Sequence, residues 1–221
     1  MIRLASIFAV AAVTAGCGGA DPSWPVTEPA PSGTLTSLSA GPGGLVLTVV
    51  AGSKAVIRVR EQLAVLVSPS DAVLAADRVS GRIGLRRDGS FVSGSRLTVA
   101  LDDLRSDNGQ RDRFVKQETL ETRWYPLAEF VPARATGLSL PLRADGEVSF
   151  KVSGAMTIHG VSREVTFDVT AARVGREINV TARSAPVWRF ADFGLRIPRV
   201  LSVLSIVDEI RLEVQLVATE G

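Results

Sequence analysis

The 221 residues hold one cysteine, one histidine and three lysines, so several kinds of chemistry are scarce from the outset. Cys17 alone excludes an intramolecular disulfide, and with His159 as the only imidazole no Cys/His zinc cluster can be built. A formal net charge of +2 gives no basic field for nucleic acid. Lys54, Lys116 and Lys151 are the only lysines, a bias of composition that leaves arginine to carry nearly all the positive charge. After residue 20 no run is both long and apolar enough to span a bilayer. No phosphate-cradling glycine loop of the P-loop or dinucleotide type occurs, and no internal repeat points to a propeller or solenoid.

The N-terminus carries a separate message. Met1-Ile2-Arg3 precedes an apolar run from Leu4 to Val13, then Thr14-Ala15-Gly16-Cys17. A basic start, a run too short for a membrane helix and small residues before a cut site describe a secretory signal. The cysteine after Ala15-Gly16 resembles a bacterial lipobox, although Thr14 stands where that pattern favours leucine. Residues 1–17 are therefore expected to be a lipoprotein leader with Cys17 as the acylated residue; the plainer alternative is a signal peptide cut near Gly16 or Ala20. Acyl chains bring about 0.8 kcal/mol of membrane affinity per buried CH₂. The expected location is the outer face of a bacterial membrane, at the cell surface or in the periplasm, held there by the N-terminal acyl anchor. Residues 18–34 contain Pro22, Pro25, Pro29 and Pro31 and read as an extended tether, with Trp24 as a spacer residue.

From residue 35 to 221 the pattern is that of a folded domain, and its period is two. Val148, Phe150 and Val152 alternate with Glu147, Ser149 and Lys151; Val165, Phe167, Val169 and Ala171 with Glu164, Thr166, Asp168 and Thr170; Ile210, Leu212, Val214 and Leu216 with Arg211, Glu213 and Gln215. Leu97-Val99-Leu101 and Ile178-Val180-Ala182 behave alike. Such runs bury one face and wet the other, as antiparallel strands do. Asp88-Gly89, Asp145-Gly146, His159-Gly160 and Gly175 supply the turns. The expected class is all-β, an antiparallel sheet of about ten short strands closed or nearly closed, although periodicity alone does not separate barrel from sandwich.

Two stretches depart from the alternation. Ser106-Asp107-Asn108-Gly109 offers capping side chains, Gln110 to Thr122 holds helix formers, and Tyr125-Pro126 stops a helix. One helix beside or across the sheet is expected there. Between Pro186 and Val207, Trp188 and Phe190 share one parity, and Phe193 and Leu195 the other; a bulge near Ala191-Asp192 would bring all four to one face. Val200, Val203, Leu204 and Val207 have helical spacing, which suits either an apolar flap at a barrel mouth or a core-packing turn.

Three landmarks together resemble the YceI-like family. Residues 95–126, SRLTVALDDLRSDNGQRDRFVKQETLETRWYP, resemble its run of strand, loop, Arg-Asp pair, helix and Tyr-Pro, with Arg111-Asp112 as the pair. Residues 152–169, VSGAMTIHGVSREVTFDV, resemble its second signature, and Phe190-Ala191-Asp192-Phe193-Gly194 its aromatic-Asp-Phe-Gly run. The region before Leu45 lacks the tyrosine-rich opening of many members, and Arg113 and Phe114 follow the Arg-Asp pair in place of its usual polar residue. The resemblance implies a lipocalin-like antiparallel β-barrel around a long apolar cavity, and a polyisoprenoid or other lipid as ligand.

Against that frame the candidate residues sort themselves. Cys17 lies outside the domain, His159 sits in a hairpin turn and none of the lysines is in a suggestive motif, so no nucleophile–base pair is visible and no enzyme is expected. Asp102 and Asp103 follow a strand and read as solvated loop charges. No metal or cofactor is implied. The candidate ligand-binding residues are Arg111, Phe114, Trp124, Tyr125, Trp188, Phe190, Phe193 and Leu195, the large side chains of the two irregular stretches. Any one of them could equally be core packing. Arg111 could meet an anionic head group at a helix N-terminus with Arg113, or the Arg111-Asp112 pair could pin the helix to the barrel. Three readings remain open: an anchored carrier of an isoprenoid or other lipid, an envelope interaction or stress module with a filled barrel, or an enzyme acting on a lipid. A hollow interior separates the first from the second. A homodimer is compatible with all of them.

Overall fold

The alternating runs fold into β1 (Leu45–Val49), β2 (Lys54–Leu63), β3 (Ser70–Ala76), β4 (Val79–Leu85), β5 (Arg96–Ala100), β6 (Leu127–Thr136), β7 (Glu147–Ile158), β8 (Val161–Val174), β9 (Glu177–Ser184) and β10 (Val203–Glu220). The computed structural model describes residues 38–142, 146–201 and 203–221. The leader, Cys17, the tether and Asp145 lie outside these residues.

All strand pairings are antiparallel, in the order β1-β4-β5-β6-β7-β8-β9-β10-β2-β3, and β1 also pairs with β10. Two pairs of segments are single strands with a bend. Leu47 faces Glu220 and Lys54 faces Gln215, so β1 and β2 run together along β10. Thr48 faces Arg82 and Ala55 faces Ala76, so β3 and β4 run together along β1 and β2. Counted in this way, the sheet is an eight-stranded closed barrel, not two flat layers.

Side chains replace the ladder where the wall bends. At the β1–β2 bend the buried Ser53 hydroxyl donates to the Val50 carbonyl at 2.9 Å and accepts the Val217 N–H at 2.9 Å. At the β3–β4 bend Asp103 Oδ2 accepts the N–H groups of Asp77 and Arg78 at 2.8 and 2.9 Å. Each device pairs backbone groups that would otherwise be orphaned.

The hairpin β7–β8 is the longest in the sheet. Ile158 pairs with Val161 across His159 and Gly160, whose φ values are 51° and 71°. Two successive positive φ angles define the two-residue turn that matches strand twist, and glycine adopts the second without strain. On the other side of β7, Pro132 of β6 lies where the register shifts before Arg134, the kind of site in which a sheet tolerates proline. Gly154 opposite it is needed for space, since a Cβ there would lie 2.4 Å from the Val131 carbonyl oxygen.

Both irregular stretches differ in detail from the sequence expectation. The helix begins as α1 (Gly109–Phe114) but widens into a π turn over Val115–Thr119. Leu120 N–H reaches the Val115 carbonyl at 2.8 Å, and Glu121 enters the left-handed region at φ 46°. The helix therefore stops before Thr122, and Tyr125-Pro126 plays no part in ending it. In the second stretch there is no bulge at Ala191-Asp192. Phe190–Phe193 form a 3₁₀ turn closed by the Asp192 carboxylate on the Arg189 N–H at 2.7 Å. Val203 to Val207 are not helical; they open β10, whose register against β2 shifts between Val203 and Ser205 and again between Ile206 and Ile210.

Candidate ligand cavity

The inward faces of the barrel do not meet. They enclose a cavity of about 790 Å³, walled by aliphatic side chains such as Leu47, Ile57, Val99, Val152, Val180 and Leu212. That volume lies within the range of about 300–1,000 Å³ common for small-molecule sites. Polar side chains on the lining are confined to Glu61, Asn108, Gln110, Arg111 and Thr119, all from the end of β2 or the helical stretch. The site thus has a greasy wall and a single polar sector.

The helical stretch builds that sector. Asn108 Oδ1 accepts the N–H groups of Gln110 and Arg111 at 2.9 and 3.2 Å, which caps α1. Asp112 turns back to accept the Ser106 N–H and hydroxyl at 2.8 and 2.6 Å. Arg111 donates through Nη2 to Glu61 Oε1 at 2.7 Å and through Nη1 to Asp107 Oδ1 at 2.6 Å. Of the two readings of Arg111-Asp112, this geometry carries out the pinning one. The helix N–H groups are occupied by Asn108, and the guanidinium is held by two carboxylates. Arg113 points into solvent and does not line the cavity.

The 3₁₀ turn accounts for most of the other candidates. It turns Trp188, Phe190, Phe193 and Leu195 inward, leaving them 6%, 6%, 1% and 9% exposed, and all four line the cavity. Trp188 is fixed by its backbone, which exchanges hydrogen bonds with Ile210 at 3.0 and 2.6 Å. Edge-to-face and tilted contacts link Phe130 to Phe167, Phe167 to Trp188 and Trp188 to Phe193 at ring separations of 5.1, 5.8 and 5.1 Å. Phe114 joins the lining from the end of α1.

Trp124 and Tyr125 are corrections to the sequence expectation, because neither reaches the cavity. Trp124 is 71% exposed, with the Arg123 guanidinium 5.3 Å above its ring. Tyr125 packs against His159 at a ring separation of 4.6 Å and covers Gly160. His159 Nε2 in turn meets Glu121 Oε2 at 2.8 Å. The left-handed turn at Glu121 redirects both aromatic side chains, and no periodicity in the sequence announces such a turn.

Sequence reasoning missed Glu61, although a signal was available. Ala55, Ile57 and Val59 set the inward parity of β2, and Glu61 is next on it. A carboxylate on a greasy face requires a partner. Asp103 also corrects an expectation, since it is buried rather than solvated. Burial pushes its carboxyl up, but the N–H groups of Arg78 and Asp77 and the charges of Arg105 and Arg78 outweigh that and hold it below the usual carboxylate value. Asp103 does not line the cavity, and among the described residues no cluster of three or more His, Cys, Asp or Glu could hold a metal ion.

A closed barrel around an apolar hollow invites comparison with known proteins, and the family model for the YceI-like domain matches residues 52–218. The chain belongs to the YceI-like family. That span covers the barrel from the β1–β2 bend almost to the end of β10. A UPF0312 protein of Pseudomonas putida strain W619 is 30% identical over 99 residues, 41% of this chain and 48% of its own. The chain thus matches about half the length of that relative. Among solved structures, a polyisoprenoid binding domain from Saccharophagus degradans superposes with a TM-score of 0.62 at 16% identity, over 80% of this chain and 99% of its own. Burkholderia cenocepacia BcnA gives a TM-score of 0.56 at 19% identity, over 76% and 96%. At these identities the two structures speak for the YceI-like fold alone.

Proposed function

We propose that this YceI-like domain is a binding protein that shelters a slender, largely apolar molecule, an isoprenoid or another lipid, inside its barrel, and that it catalyses no reaction. The observation that carries this reading is the 790 Å³ hollow with an aliphatic wall and polar side chains in one sector only. Each five-carbon isoprenoid unit buried there would contribute about 4 kcal/mol at ~0.8 kcal/mol per carbon, before the cost of ordering the chain. One sector can meet a polar head while the rest of the wall accepts only hydrocarbon. The polyisoprenoid-binding description of the Saccharophagus degradans domain supports the choice of ligand class. Native mass spectrometry of the purified protein tests it: an adduct that yields a lipid on extraction is expected, and a protein that stays empty after incubation with isoprenoid and fatty ligands would overturn it.

We also propose that the chain is exported and held on the outer face of a membrane through acylated Cys17. The basic start, the short apolar run and the small residues before the cysteine support this. Metabolic labelling with an alkyne fatty acid should mark the wild-type chain and not Cys17→Ser. Equal labelling of the two would rule out the anchor.

A further inference from the structure

We infer that the open end of the barrel docks on an anionic lipid bilayer, its apolar rim entering the interface so that a lipid can pass between membrane and cavity without crossing water. This rests on the lipid-binding reading above and adds where the lipid comes and goes.

The rim is made by two short stretches. Between β2 and β3, Val65, Leu66 and Val67 are 87%, 45% and 102% exposed. Just before β10 and at its start, Leu201 and Leu204 are 105% and 69% exposed. Val203 pairs with Leu63, so both stretches project from the same end of the same strand pair. Val65 and Leu201 also line the cavity. The apolar surface is therefore continuous from the inner wall to the outermost tips, and it projects toward solvent from a barrel whose other outward strand positions are largely polar. Large aliphatic side chains held out in water are a cost unless something apolar receives them.

Charge identifies the receiving surface. Arg196 and Arg199, shortly before Leu201 in the chain, are exposed, and Arg113 is exposed on α1, whose Arg111 is tied to β2 through Glu61. None of the three takes part in an ion pair among the described residues. Of the acids beside the rim, Glu61 and Asp107 are held by Arg111, and Asp71 by Arg60 and Arg211, while Glu118 in the helical stretch is exposed and in no ion pair among the described residues. The exposed Glu209 sits further down β10, past Ile206, which pairs with Glu61. Apolar tips ringed by unpaired arginines suit an interface of hydrocarbon beneath anionic head groups. A protein partner is less well matched, because protein interfaces draw on aromatic side chains and this rim has only aliphatic ones.

The test uses the full chain with Cys17→Ser, so that no acyl group contributes. Leu201→Cys labelled with an environment-sensitive fluorophore reports on the rim, and Val174→Cys, at the opposite end of the barrel, serves as control. With phosphatidylcholine vesicles containing phosphatidylglycerol, the emission of the Leu201 label should shift to the blue and become protected from iodide, while the control label does not respond. Arg196→Glu with Arg199→Glu should weaken the response more than about tenfold, as should added salt. An unresponsive Leu201 label in a protein that still yields bound lipid overturns the docking proposal and leaves the lipid-binding reading intact. A protein that never holds lipid removes the reading underneath it. A blue shift that grows with protein concentration in the absence of vesicles, with a dimer in sedimentation, assigns the rim to a second copy and also overturns the proposal.

Discussion

Arg111 and Glu61 meet at 2.7 Å across 50 residues of chain, tying the helical stretch to the inward face of β2. Their side chains are 19% and 7% exposed, so the pair is held largely away from water. Removing one member leaves the other charge poorly solvated, which costs about 3–5 kcal/mol in fully buried cases. Arg111 retains some water and Asp107, so Arg111→Met should lower stability by about 2–4 kcal/mol, measured by urea unfolding. Arg111 also lines the cavity, so lipid retained in the folded variant would assign it to pinning alone. Intact stability with lost lipid would reverse that assignment.

Ala182 lines the cavity from β9. Ala182→Phe should occupy hollow space and sharply reduce the lipid recovered by extraction. Because the new ring enters a void, the stability change should stay below the ~1–3 kcal/mol typical of overpacking a filled core. Unchanged lipid recovery would mean that the ligand sits elsewhere.

Phe193 and Trp124 should separate cleanly. Phe193 is 1% exposed against the Trp188 ring, so Phe193→Ala should cost about 3–5 kcal/mol. Trp124 is 71% exposed, and Trp124→Ala should stay within about 0.5 kcal/mol with lipid affinity unchanged. Chemical denaturation and ligand titration of the two variants check both statements.

Asp103 should govern part of the acid limb. Its carboxyl is held below the usual 3.8 in the folded protein. A depressed folded value adds stability that is fully present above the unfolded value and is lost as pH falls through the folded one. Melting temperatures between neutral pH and pH ~3 should fall for the wild type, chiefly below its ordinary carboxylate range. Asp103→Asn should be less stable at neutral pH, by about 1–3 kcal/mol for the weakened hydrogen bonds, and its acid limb should be flatter. Parallel curves for the two proteins would contradict this role.

Much of the wall was legible in sequence, because alternation over β7, β8, β9 and β10 is a local property that fixes which face goes inward. The two-residue turn at His159-Gly160 was legible for the same reason. What escaped depends on contacts between distant segments. Nothing near Ser53 shows that its hydroxyl will stand in for a strand neighbour at Val217, and nothing near Asp103 points to the N–H groups of Asp77 and Arg78. The widened helix and the left-handed Glu121 moved Trp124 and Tyr125 out of a site to which composition had assigned them. The inward turn of Trp188, Phe190, Phe193 and Leu195 was foreseeable, but its device, a 3₁₀ turn closed by Asp192, was not.

A wall that returns to its first strand has almost no hem to which another chain could be stitched. The exception lies in β3, which pairs with β2 on one side and on the other is met by the backbone of Arg105 only at Ala75. The stretch before Ala75 is thus where strand exchange between crowded molecules could begin. Asp71 sits in it, kept ionised by Arg211 and Arg60, and a fixed charge on so short a margin discourages a neighbouring strand from settling there.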